Sequence, residues 1–257
     1  MSNIINKIDG RVRIISINRP QARNAVDRET ANELADAFAH FDQDTDTDVA
    51  ILTGVDGAFC AGADLKRVAE GEGNLMRREG NGPMGPSRML LHKPVIAAVE
   101  GHAVAGGLEL AVWCDLRVAA NDATFGVYCR RWGVPLVDGG TIRLTRLIGQ
   151  SHAMDLILTG RGIDGAEAYR MGLANRLCEP GQALATALEL AHQLCEFPQL
   201  CMRNDRLSAY QQWSMTLPEA LLNETELGLS VIQSGETRTG ATRFADGHGR
   251  HGDFNDL

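Results

Sequence analysis

The residues best placed to do chemistry lie between Pro94 and Asp115, in the stretch PVIAAVEGHAVAGGLELAVWCD. Gly106-Gly107 opens Leu108-Glu109-Leu110-Ala111-Val112-Trp113, which reads as the first turns of a helix. The first N–H groups of a helix have no intrahelical acceptor and sit at the positive end of its dipole. Glycine there lets a ligand approach the backbone closely. Glu109 follows Gly106 by three residues, so its carboxylate lies one turn on and on the same face. The pattern sets an anion-binding N–H beside a general base. The dipole alone also favours glutamate in a first turn, so a purely structural Glu109 is the competing reading.

This stretch resembles one signature of the enoyl-CoA hydratase/isomerase (crotonase) superfamily, and Ala58-Phe59-Cys60-Ala61-Gly62-Ala63-Asp64 resembles the other. The likeness runs from Asn18-Arg19-Pro20 to Phe254. It implies an acyl-CoA-processing enzyme that stabilises a thioester enolate, with the backbone N–H groups of Ala63 and Gly106 as the oxyanion hole. Glu109 aligns with one of two glutamates that hydratases of the family use to activate water. The other is missing: Phe125-Gly126 matches the family's Phe-Gly, and counting forward puts Cys129 in its place. Arg130 and Arg131 would lower the pKa of that thiol, whereas a small core residue is the plain alternative. Asp138 falls in a glycine-rich loop where dienoyl-CoA isomerases and a carbon–carbon bond hydrolase of the family place a catalytic aspartate. Its alternative is to cap the helix beginning at Thr141. Ala61, Asp64, Lys66, Arg23 and Arg250 stand at or near motif positions that imply substrate contact, the basic ones with coenzyme A; a solvated face is the alternative for each basic residue. Hydration, double-bond migration, and hydrolysis or decarboxylation all share the enolate site, and a catalytically weak acyl-CoA-binding relative is a further reading. No separate cofactor is implied, coenzyme A being part of the substrate, and no metal.

These groups need strands and helices to hold them. Val12–Ile17, Val49–Leu52, Pro94–Val99 and Leu116–Ala120 are short apolar runs that predict buried strands. Asp27 predicts an N-cap for a helix with Ala31, Leu34, Ala35, Phe38 and Phe41 on one face. Helical spacing recurs from Thr141 to Ile148, closed by Gly149, then over Ser151–Leu158, Asp164–Met171 and Gln182–Cys195, with a strand at Leu173–Cys178. Pro198 and Pro218 mark further helix starts. From Glu70 to Pro86 glycine and proline erase any period, and two readings stand: a mobile segment beside the acyl end of the substrate, or a surface loop. Alternating strands and helices indicate an α/β class with a largely parallel sheet. The resemblance sharpens this to a ClpP/crotonase-type spiral core of repeated ββα-like units over residues 1–200, with a helical oligomerisation region over 201–257. It also implies a homotrimer or a dimer of trimers.

The chain has 257 residues, 44% of them hydrophobic, and a net charge of −8. An acidic chain without a basic run is a poor match for nucleic acid or an anionic membrane surface. Six cysteines show no CxxC pair, and the amino terminus lacks the apolar core of a signal peptide. The expectation is a soluble cytoplasmic protein. The run Asp42, Asp44, Asp46, Asp48 has no glycine-centred calcium loop and reads as a solvated connection. Motifs for dinucleotides (GxGxxG after a strand), for P-loops and for serine hydrolases (GxSxG) are absent.

Overall fold

The computed structural model describes residues 2–253, apart from the side chain of Arg250. Two compact units follow along the chain, the first ending at Ala191 and the second starting at His192. The first begins with β1 (Ile4–Asp9), β2 (Val12–Ile17), α1 (Arg28–Gln43), β3 (Val49–Gly54) and α2 (Leu65–Ala69). It continues through β4 (Val95–Val99), β5 (His102–Val104), α3 (Gly106–Trp113), β6 (Leu116–Ala120) and β7 (Thr124–Gly126). Then come α4 (Gly140–Thr159), β8 (Gly162–Asp164), α5 (Gly165–Arg170) and β9 (Arg176–Cys178), and α6 (Ala183–Glu196) carries the chain across the boundary. The second unit holds α7 (Gln199–Gln211), α8 (Leu217–Ser234) and α9 (Glu236–Asp246).

The main sheet has the order β1-β2-β3-β4-β6-β9 and is parallel everywhere except the β1–β2 hairpin. A second sheet, β5-β7-β8, pairs β5 with β7 in parallel and β7 with β8 antiparallel. All five residues of β4 are buried, as expected of a strand covered on both faces. The Asp27 carboxylate accepts from Thr30 N at 2.9 Å and starts α1. The apolar face expected on α1 is buried, and Phe38 meets Trp113 of α3 edge-on at 4.8 Å. Removing either ring from water is worth roughly 1.5–3 kcal/mol. All eight residues of α3 are buried, so the helix that carries Glu109 is fixed from every side.

The structure departs from the sequence reading in several places. The two helices expected around Gly149 are one element, α4, interrupted where Gly149 adopts φ 73° and ψ 161°. The strand expected from Leu173 starts only at Arg176. Strands β1, β5 and β8 and helix α9 carry no clear period of their own. β1 reads Ile-Ile-Asn-Lys-Ile-Asp, is mostly exposed, and exists because β2 supplies its hydrogen-bond partners. The segment from Glu70 to Pro86 borrows from both readings: Asn74, Met76 and Met84 line a cavity, while much of it is exposed as a surface loop would be. Its first part is exposed, but Gly82–Ser87 is buried and forms a wall.

Candidate active site

Two loops converge on the start of α3. Val26 bridges Ala63 in a parallel pair, with Val26 N donating to Gly62 O at 2.8 Å and Asp64 N to Val26 O at 3.0 Å. In such a pair the bridged residue's own N–H points away from its neighbour. The Ala63 N–H is therefore turned outward, and it donates to no other described residue. The Gly106 N–H is an unpaired first-turn donor of α3. Gly62, at φ 95°, brings the two together: a Cβ there would lie 2.9 Å from Gly106 N. Ala105, just before α3, is held at φ 54° and ψ −124°. A non-glycine residue in that region costs on the order of 1–3 kcal/mol, the strain typical of a ligand-facing turn.

Arg19 steadies the first loop. Its guanidinium lies 3.0 Å from both Asp27 and Asp64, the N-cap residues of α1 and α2. Asp64 also accepts from Lys66 N at 3.1 Å, so its carboxylate is spent on the fold rather than on the cavity wall.

Beside the two N–H groups opens a cavity of about 910 Å³, lined among others by Ala61, Ala63, Gly106, Glu109, Cys129 and Asp138. Glu109 is 2% exposed, and its Oε1 accepts from Asp138 N and Gly140 N, each at 2.9 Å. Gly140 must be glycine for this approach, since a Cβ there would sit 2.9 Å from Glu109 Cγ and Oε1. Burial raises the Glu109 pKa from 4.5 to about 7; the nearby Asp138 charge pushes the same way, and the two N–H bonds resist. A carboxyl poised near neutrality can both take and return a proton.

Asp138 is 3% exposed and does not cap α4, whose N-cap is Gly139 without a side-chain bond. Its Oδ1 accepts from Met84 N at 2.9 Å and from the Ser87 hydroxyl. Burial raises its pKa, opposed by these two donors and by the charges of Arg88 and Arg143. Cys129 lies in a 3-10 turn, Tyr128–Trp132, and its thiol is also raised, first by burial and next by the Glu109 charge. The activation expected from the neighbouring arginines therefore does not win. Arg130 Nε donates to Ile157 O at 3.0 Å, and Arg131 stacks over the Tyr128 ring at 4.3 Å.

Of the other residues singled out in the sequence, Ala61 and Arg23 line the cavity, and Ala61 N donates to Arg23 O at 3.1 Å. Lys66 is exposed on α2 and is not part of the lining. The Arg250 side chain lies outside the described residues. Met84 and Ser87 carry no motif in the sequence, although Met84 packs so closely on Gly106 that a Cβ there would meet its Sδ at 2.7 Å.

A family model described as enoyl-CoA hydratase/isomerase matches residues 7–254. The chain is 38% identical over 244 residues to enoyl-CoA hydratase EchA19 of Mycobacterium tuberculosis, covering 92% of this chain and 91% of the relative. A solved enoyl-CoA hydratase from Mycobacterium tuberculosis superposes with a TM-score of 0.91 at 37% identity, over 96% of each chain. Enoyl-CoA hydratase EchA1 of Mycobacterium marinum does so with a TM-score of 0.90 at 36% identity, again over 96% of each. The spiral α/β architecture expected from the resemblance is thus the one found.

Proposed function

The chain belongs to the enoyl-CoA hydratase/isomerase family and processes acyl-CoA thioesters, and within that class we propose proton transfer on an enoyl-CoA, with plain hydration slow. The thioester oxygen accepts from the N–H groups of Ala63 and Gly106, which hold the negative charge that develops when the α proton leaves. One such donor is worth roughly a hundred- to a thousandfold in rate in other enzymes. Glu109 takes the α proton of a β,γ-unsaturated acyl-CoA, and the electron pair moves onto the thioester oxygen as a dienolate. Collapse of the dienolate with protonation at the γ carbon, by Glu109 or Asp138, leaves the conjugated α,β-enoyl thioester. No atom is gained or lost.

The observation that carries this reading is the wall holding Glu109 and Asp138 together, both buried, with Asp138 N bonded to the Glu109 carboxylate. Hydration makes a different demand, because a water must be held and deprotonated between two groups. At the position where the family places its second glutamate stands Cys129, a thiol whose raised pKa keeps it neutral and unable to take a proton from water at neutral pH.

The experiment supplies the protein with a β,γ-unsaturated acyl-CoA and, separately, crotonyl-CoA. Mass spectrometry in D2O follows deuterium uptake and water addition. Deuterium-labelled conjugated product, abolished by Glu109→Gln and lowered by Asp138→Asn, supports the proposal. Brisk hydration of crotonyl-CoA would overturn it and return the plain hydratase assignment. Cytoplasmic residence and assembly as a trimer or a pair of trimers belong to the same proposal. No described helix is long and apolar enough to cross a membrane. Exposed Leu217, Leu222 and Ile232 on α8 support a surface that another subunit covers, which sedimentation equilibrium tests.

A further inference from the structure

Asp138 owes its orientation to a buried strap far away in sequence. Between Gly82 and Ser87 the chain turns tightly, with Gly85 N donating to Gly82 O at 2.9 Å. Gly85, at φ 91°, lies against α1, where a Cβ would meet Ala31 O at 2.4 Å. Asn74 Nδ2 holds Pro83 O at 2.7 Å. The strap then delivers two donors to one oxygen: Met84 N–H at 2.9 Å, and the hydroxyl of Ser87, a residue only 1% exposed, both to Asp138 Oδ1. Arg143 clamps the pair from α4, donating to Asp138 O and Ser87 O at 2.8 Å each. The fit leaves no slack, since a Cβ on Gly82 would lie 1.9 Å from Ser87 Oγ and 2.7 Å from Asp138 Oδ1.

We propose that Ser87 is a positioning residue for the reaction: its hydroxyl pins Asp138 Oδ1 into the wall and leaves Oδ2 for the substrate. The proposal rests on the assignment of Asp138 to the chemistry made above. Oδ2 makes no hydrogen bond among the described residues, whereas Oδ1 is satisfied twice. A carboxyl with one oxygen anchored cannot rotate, so its reactive oxygen is held at one distance from the bound carbon. The hydroxyl also favours the ionised form, together with Met84 N–H, Arg88 and Arg143, against burial and the neighbouring charge of Glu109. Nothing in the local sequence Pro-Ser-Arg announces this role, because the bond spans 51 residues.

The test is a double-mutant cycle on the full-length protein with a turned-over acyl-CoA. Removing a hydrogen bond to a charged group costs roughly ten- to a hundredfold, so Ser87→Ala should lower kcat by about that factor. KM should stay within about threefold, and the limb of the pH–rate profile that follows Asp138 should move to higher pH. Adding Ser87→Ala to Asp138→Asn should cost less than about threefold more, because the hydroxyl then has no carboxylate to hold. Ser87→Cys, a weaker donor of similar size, should fall between serine and alanine, and it carries the measurement if the alanine variant does not fold. An equal loss in both backgrounds, or an unmoved pH limb, would show packing alone and overturn the proposal. So would wild-type turnover in Ser87→Ala when Asp138→Asn is inactive. Full activity in Asp138→Asn is a separate outcome that removes the assignment of Asp138 first and this inference with it.

Discussion

Glu109→Gln should make the ligand-free protein more stable at alkaline pH while abolishing turnover. Glu109 is buried, and its carboxyl is raised from 4.5 to about 7 in the folded state. Below its unfolded pKa the carboxyl is protonated in both states and costs nothing. As pH rises from 4.5 to 7 the unfolded chain releases the proton first, so stability falls across that window and stays lower above it. At about 1.4 kcal/mol for each tenfold difference in proton affinity, the ionised form costs about 3 kcal/mol at pH 8 and under about 1 kcal/mol at pH 5. Glutamine keeps an oxygen for the two N–H bonds from Asp138 and Gly140, each 2.9 Å long, and cannot ionise. Its removal of charge also relieves Asp138, which acts in the same direction. The advantage of the variant over wild type should therefore grow by about 2 kcal/mol between pH 5 and pH 8, or roughly 4–8 °C in Tm for a unit of this size. Paired thermal melts at the two pH values measure it, and turnover should fall by about a hundred- to ten-thousandfold. A variant advantage that is the same at both pH values would refute the claim that Glu109 is held near neutrality by burial.

Four further outcomes follow from particular residues. Cys129→Glu should raise crotonyl-CoA hydration above wild type, and Asp138→Asn should harm the native reaction at least as much as Cys129→Ser; steady-state assays with the same thioesters compare them. Gly107→Ala should destabilise severely, because a Cβ there would lie 2.1 Å from Cys60 O, backbone that cannot step aside, and denaturant midpoints read the loss. Arg117→Met should cost about 2–5 kcal/mol by urea unfolding, since this fully buried guanidinium donates to Leu173 O at 2.5 Å, Cys114 O at 2.7 Å and Asn175 Oδ1 at 3.0 Å, bonds the variant loses while Asn175 Oδ1 keeps only the backbone N–H of residue 117.

Local rules made much of the scaffold legible from residue types alone. Four apolar runs became strands, Asp27 capped α1, and Gly149 broke α4 where a helix end was read. Glu109 could be set beside Gly106 because three residues in a helix fix a geometry that no distant contact needs to supply. Asp64, which the resemblance implies as a substrate contact, caps α2 and meets Arg19, and a residue that does so looks no different in sequence from one that faces a ligand. Asp138 was visible only as a carboxylate with two open readings. Its backbone reaches Glu109 across 29 residues, and its side chain reaches Ser87 and Met84 across 51 and 54. Such contacts leave no period and no motif, since each depends on where the whole chain has carried its partner. The raised pKa values belong to the same class: a carboxyl in the sequence is ordinary until the tertiary structure takes water away from it.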